Sequence, residues 1–237
     1  RPTLLDACLS SLQMFPDWIL VFVGQEFDEE RKEHVRQAVR VPALYKWCDE
    51  KVGMHNAKLY GLQLIQSQSA KHVVISIDDD MEFIDQTDFN SMGEICQNKD
   101  IGLVSGNWVR SEKMLKNKRL RNEIKKQAIV YTAGGMAFSN KITRLIVNAG
   151  ENDFWCDNTE WSLISYTNGY TNLRYLGSLA IHRILSAGGR KSYVDAERKL
   201  PSAELVTLRP DKTGGHIIPS ERDLTAFAKF RHKLNKK

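Results

Sequence analysis

The stretch Val73-Val-Ile-Ser-Ile-Asp78-Asp79-Asp80 decides how the chain is read. An almost continuous β-branched run of this kind marks a strand buried on both faces. Three carboxylates follow it at once. Adjacent anions repel one another, and at the carboxyl end of a parallel strand they lie on the edge where open α/β sheets bind ligands. A divalent cation relieves that repulsion. Hard ions such as Mg²⁺ or Mn²⁺ take one or two carboxylates together with substrate phosphates, and the alternate residues Asp78 and Asp80 can serve different groups. The plain structural alternative is a strand-terminal turn with an Asx cap.

Working outward, Leu4, Leu5, Cys8, Leu9 and Leu12 form an amphipathic stripe that predicts a helix starting near Pro2. Trp18 to Val23 predicts a short buried strand, and the charged run Asp28 to Arg40 a helix that Pro42 ends. After Gly53, Leu59, Leu62 and Ile65 share a helical face within Asn56 to Gln66. Beyond the acidic triplet, Ile101 to Val109 and Ile129 to Phe138 read as strands, Ser139 to Asn148 and Asn158 to Tyr166 as helices, and Leu173 to Ile181 as a strand. Alternation of this kind implies an α/β sandwich with a mostly parallel sheet. Residues 1–185 form the expected core; residues 186–237 form a lid-like excursion and a final basic helix packed on the same domain.

Composition bounds the function. With 237 residues, 42% hydrophobic and 27% charged, the chain can bury a full core, and disorder or a fibrous repeat does not fit. No apolar run approaches the roughly 20 residues that span a bilayer. Cys8, Cys48, Cys96 and Cys156 show no paired spacing, which argues for a reducing, cytoplasmic setting over a disulfide or zinc framework. The net charge of +5 is unevenly placed. Arg110 to Lys126, which includes Lys118 and Arg119, carries eight basic residues against two acids, and Lys229 to Lys237 carries five against none. An acidic body with two basic patches can hold a polyanion beside an acid-lined site, although a solvated helix face and a frayed tail would show the same charges.

A second acidic patch, Glu151-Asn-Asp153-Phe-Trp155-Cys-Asp157-Asn-Thr-Glu160-Trp161, precedes a helix. Asp157-x-x-Glu160 has capping-box form, with the aspartate accepting a free amide bond and Glu160 reaching back. Trp155 and Trp161 offer either core volume or a platform for an acceptor ring. Gly188-Gly-Arg190-Lys191 is a glycine-hinged basic loop able to fold over a diphosphate.

Four passages, taken in order, resemble GT-A glycosyltransferases of the family 2 type, which use nucleotide-diphosphate sugars. Arg1-Pro-Thr-Leu-Leu-Asp-Ala-Cys-Leu-Ser-Ser-Leu is similar to the helix after that family's first strand. Gly53-Met-His-Asn-Ala-Lys58-Leu-Tyr-Gly61 resembles the helix start near the nucleotide, Asp78-Asp-Asp80 the metal-binding DXD motif, and Gly134-Gly135-Met-Ala-Phe138 the glycine-rich acceptor-side strand. Together they cover about residues 1 to 182. The resemblance implies a GT-A fold, a Mn²⁺ or Mg²⁺ cofactor and a nucleotide-diphosphate sugar donor, with a UDP-sugar expected. It places Asp78, Asp79, Lys58, Gly134 and Gly135 at the donor, joined by Arg190 and Lys191 of the basic loop. Asp80 and His182 fall to the metal, and Asp157, with Asp153 in reserve, to the general base of an inverting transfer. Trp155, Trp161, Lys118 and Arg119 would face the acceptor.

The family's first strand has no counterpart from Arg1 onward. Arg1 opens the chain without Met or a signal-peptide pattern, so a preceding segment, or a permuted fold, is expected. The basic segment ahead of Gly134 favours a phage-type transfer to hydroxymethylated pyrimidines in DNA, with a saccharide or lipid-linked acceptor as the alternative. A rival from another class is a two-metal nuclease or phosphatase using the Asp78-Asp80 cluster, with Asp80-Met-Glu82 as a D-x-E pair, but the glycine pair would have no role in such a nuclease.

Overall fold

A computed structural model describes residues 2–109, 124–127, 135–151 and 157–183, together with 225, 227–229 and 232. In chain order the elements are α1 (Pro2–Ser11) with a 3₁₀ turn (Leu12–Met14), β1 (Leu20–Gln25), α2 (Glu29–Ala38), β2 (Ala43–Cys48), α3 (Met54–Gln68), β3 (Val73–Ser76) and β4 (Met81–Phe83). Then follow α4 (Phe89–Cys96), β5 (Ile101–Val109), β6 (Ile124–Gln127), β7 (Met136–Ser139), α5 (Asn140–Ala149), α6 (Asp157–Thr167) and β8 (Thr171–His182).

The main sheet runs β3-β7-β5-β8-β4, with β6 also on β8; β1 and β2 form a separate parallel pair. Its two faces are covered by different layers. Along β7, Met136 and Phe138 pack among residues of α3, α5 and α6, while Ala137 between them packs with residues of α1, α2 and α4. Leu103 and Val104 of β5 divide in the same way. Period-2 alternation thus sends successive apolar side chains into two cores, which is why these strands read as unbroken hydrophobic runs. Phe227 of the C-terminal segment also lies in the first core.

The α/β sandwich agrees with the sequence reading, but the sheet is mixed rather than mostly parallel. β5 pairs parallel with β8, whereas β3·β7, β5·β7, β4·β8 and β6·β8 are antiparallel. Apolar patterning reports that both faces are covered, and a covered antiparallel strand has the same signature as a parallel one. The basic stretch ends in a strand, β6. β2, β4 and α4 had no expected counterpart. Of these, α4 carries a visible signal: Asp88 caps it by accepting the Ser91 amide at 2.9 Å.

Two local features aim the functional residues. Gly53, at φ +83°, turns the chain into α3, and the Gln25 side-chain oxygen accepts the amides of Val52 and Gly53 at 2.8 and 2.9 Å. α3 then lies close on β1, where a Cβ on Gly61 would meet Val23 at 3.3 Å. On the other side β8 runs twelve residues, and its end sets His182 in register with Met81. A cleft of about 1190 Å³ extends from this end along β1 and β3. The β1 edge away from β2 and the β3 edge away from β7 have no strand partner among the described residues.

Candidate functional site

The acidic triplet follows β3 as a tight turn, closed by the Met81 amide donating to the Asp78 carbonyl at 3.2 Å. β4 leaves that turn and pairs with β8, so the end of β8 returns beside the carboxylates. The Arg183 amide donates to the Asp80 carbonyl at 2.9 Å, and Arg183 and Glu82 form an ion pair just outside. His182 Nε2 lies 3.0 Å from Asp80 Oδ1, with both side chains largely buried. Asp78, Asp80 and His182 each present a ligand atom, all within 4.8 Å of one another. His182 Nδ1 is buried without a hydrogen-bond partner among the described residues.

This donor set fits a divalent ion. Two carboxylate oxygens and an imidazole nitrogen suit Mn²⁺, which accepts both oxygen and nitrogen, better than they suit an all-oxygen Mg²⁺ shell. The local field is anionic as well. Cys8, 3% exposed, donates to the Asp78 carbonyl at 3.7 Å, and its thiol is pushed up to about 12, first by burial and then by Asp79, Asp80 and Asp78. A thiol held so high is an inert core group.

Asp78 is gripped from α3, where Lys58 Nζ donates to its Oδ1 at 2.7 Å. Burial alone would raise this carboxyl, but the charge and hydrogen bond of Lys58, with a smaller contribution from His182, hold it below its usual range. A carboxyl depressed in the folded state stabilises the protein above its unfolded pKa of about 4, and that contribution is lost as pH falls through the lower folded value. In Lys58→Met, burial acts unopposed by the lysine and the sign reverses. Thermal melts of the metal-free protein between about pH 3 and 6 should rise with pH in the wild type and flatten or fall in the variant. Equal slopes would remove Lys58 as the counter-ion of Asp78.

The structure gathers Lys58, Asp78, Asp80 and His182 at one end of the cleft, and exposed Asp79 lines the same end. Gly135, at φ +46°, opens β7. Asp157 begins α6. Trp161 is fully buried, edge-on to Phe138 at 5.6 Å, and also lies along the wall of the cleft. Asp153, Trp155, Gly134, Lys118, Arg119, Arg190 and Lys191 lie outside the described residues. Sequence reasoning missed Trp108, which lines the cleft and stands edge-on to His182 at 5.5 Å. Its only sequence signal was its place near the carboxyl end of a strand, the end at which such sheets hold ligands.

No helix among the described residues is long and apolar enough to cross a membrane. No protein-family model and no curated protein matches the sequence. Solved structures do match. One is the mannosyltransferase PcManGT from Pyrobaculum calidifontis, in complex with GDP-Man and Mn²⁺: TM-score 0.64, 12% identity, 100% of this chain and 72% of that one covered. Another is GalNAc-T7 with UDP, GalNAc and Mn²⁺: TM-score 0.52, 14% identity, 92% of this chain but only 48% of that one. The likeness takes in all of this chain in the first case and most of it in the second, and the fold of this chain is the GT-A glycosyltransferase fold.

Proposed function

We propose that the chain is a metal-dependent glycosyltransferase that moves a sugar from a nucleotide-diphosphate donor to a hydroxyl acceptor. The observation that carries this reading is the convergence of Asp78, Asp80 and His182 within 4.8 Å at a strand end, beside a lysine that holds one of the carboxylates. Asp80 and His182 would hold Mn²⁺, with Asp78 adjoining. When bound, the ion stabilises the negative charge that grows on a departing diphosphate. Lys58 fixes Asp78 and adds positive charge at the donor, and Asp79 reaches solvent at the same mouth. Asp157 takes the proton of the attacking hydroxyl from the face opposite the leaving group, which inverts the anomeric centre; Asp153 is the reserve. Gly134 and Gly135 let backbone approach the sugar, and Arg190 and Lys191 close over the diphosphate.

Incubation with a panel of nucleotide sugars tests the class. Mn²⁺-dependent release of a nucleoside diphosphate, greatest with a UDP-sugar, is expected. Release of phosphate or cleavage of DNA instead would favour the two-metal hydrolase reading. For the acceptor, the eight basic residues of Arg110 to Lys126 support a polyanion, and we favour hydroxymethylated pyrimidine in DNA over a saccharide or lipid-linked sugar. Transfer to such DNA should then fall steeply between about 50 and 200 mM salt while donor hydrolysis stays level. Robust transfer to oligosaccharides with none to modified DNA would replace this acceptor.

A reducing, cytoplasmic setting accords with the free thiols of Cys8, Cys48 and Cys96.

A further inference from the structure

His55 and Glu160 are each 1% exposed and take no part in the chemistry proposed above. His55 lies in the first turn of α3, three residues before Lys58, and Glu160 in the first turn of α6, three residues after Asp157. Residues three apart share a helical face. His55 Nδ1 stands 3.4 Å from Glu160 Oε2, and its other nitrogen, Nε2, stands 3.4 Å from the Gly150 carbonyl. Gly150, at φ +81°, closes α5. One imidazole therefore stands between the residue that closes α5 and the first turn of α6, the two elements on either side of the stretch where the candidate bases lie in sequence. From the same helix Tyr60 stands near Glu151, and burial together with that carboxylate pushes its hydroxyl up.

The Gly150 carbonyl can only accept, so Nε2 donates to it. Nδ1 stands at ion-pair distance from Glu160 without hydrogen-bond geometry, and a carboxyl group this deeply buried is costly to leave far from a donor or counter-charge, which gives the closeness of these two side chains its physical weight. Trp161, fully buried and edge-on to His55 at 6.2 Å, limits the ring's freedom to move.

We propose that His55 and Glu160 form a positioning pair that fixes both ends of the acidic segment against α3, setting the distance between the Lys58–Asp78 grip and the start of α6. The inference rests on the reading of Asp157 or Asp153 as the base, and the test separates the two. In the full chain, His55→Gln and Glu160→Gln should speed amide exchange of residues 157–160 by roughly tenfold or more, local opening that precedes global unfolding. Sugar transfer should lose roughly 10- to 100-fold in kcat, the scale of a small misplacement, while donor KM and Mn²⁺ affinity stay within about twofold. The double variant should be no worse than the poorer single one, because the two residues act as a unit.

Unchanged exchange at 157–160 in both variants would overturn the proposal, and so would unchanged kcat despite faster exchange. If the wild type transfers no sugar, the exchange measurement alone still decides whether the pair anchors the segment, and only the glycosyltransferase reading fails. If His55→Gln does not fold, Glu160→Gln, which keeps size and shape, carries the same test.

Discussion

Asp80→Asn is expected to abolish Mn²⁺-dependent turnover, with kcat/KM falling by roughly 10²- to 10³-fold, or about 3–4 kcal/mol of lost stabilisation of developing charge. The substitution keeps the shape of the side chain and the backbone contact in which the Arg183 amide donates to the Asp80 carbonyl, so the fold should survive. What it removes is one of the two carboxylates presented with His182. His182→Ala should act in the same direction and weaken Mn²⁺ more than it changes donor affinity in the absence of metal, because an imidazole nitrogen contributes to the ion and not to the phosphates. Asp79→Asn, at the exposed middle of the turn, should cost far less than either. Titration of Mn²⁺ into each variant, followed by calorimetry and by turnover, separates loss of the ion from loss of the donor. An Asp80→Asn protein with wild-type Mn²⁺ affinity would show that the triplet is only a turn.

The second large effect is expected at the start of α6. Asp157→Asn replaces the proposed proton acceptor while keeping its size and shape at the first residue of α6, so stability should change little. Turnover should fall by roughly 10²- to 10⁴-fold, the range for general-base catalysis, with Mn²⁺ and donor affinity intact. That pattern differs from Asp80→Asn, where binding and turnover fall together. Asp153→Asn is the internal comparison. If Asp153→Asn carries the loss and Asp157→Asn does not, the base lies one turn's worth of sequence earlier and Asp157 is a cap. If neither matters, the acceptor hydroxyl is deprotonated by another group.

How much of this was legible in the sequence depends on what each residue signals by itself. The triplet Asp78 to Asp80 was readable because three adjacent carboxylates after a β-branched run have few inexpensive explanations. His182 was readable only with the family resemblance, since a histidine ending a strand is ordinarily structural; the β4·β8 pairing is what returns it to Asp80, and no local pattern in the sequence carries that pairing. Pairing direction was not legible, because apolar alternation reports burial and not the partner's orientation. Trp161 and Trp108 make the same point. Both line the cleft, the first fully buried beside the acidic patch and the second inside a strand, and the local residue pattern decides neither placement. His55 gave no signal at all. It sits on the buried face of an amphipathic helix, and its partners lie 95 and 105 positions away in the chain, beyond the reach of any local pattern.

The most direct test is a crystal soaked with MnCl₂ and UDP, with anomalous data collected at the manganese edge. The glycosyltransferase account expects a single strong peak bounded by Asp80 and His182, with Asp78 adjoining and the diphosphate on its open side. A peak elsewhere, or none, with His182 still held against Asp80, would contradict it.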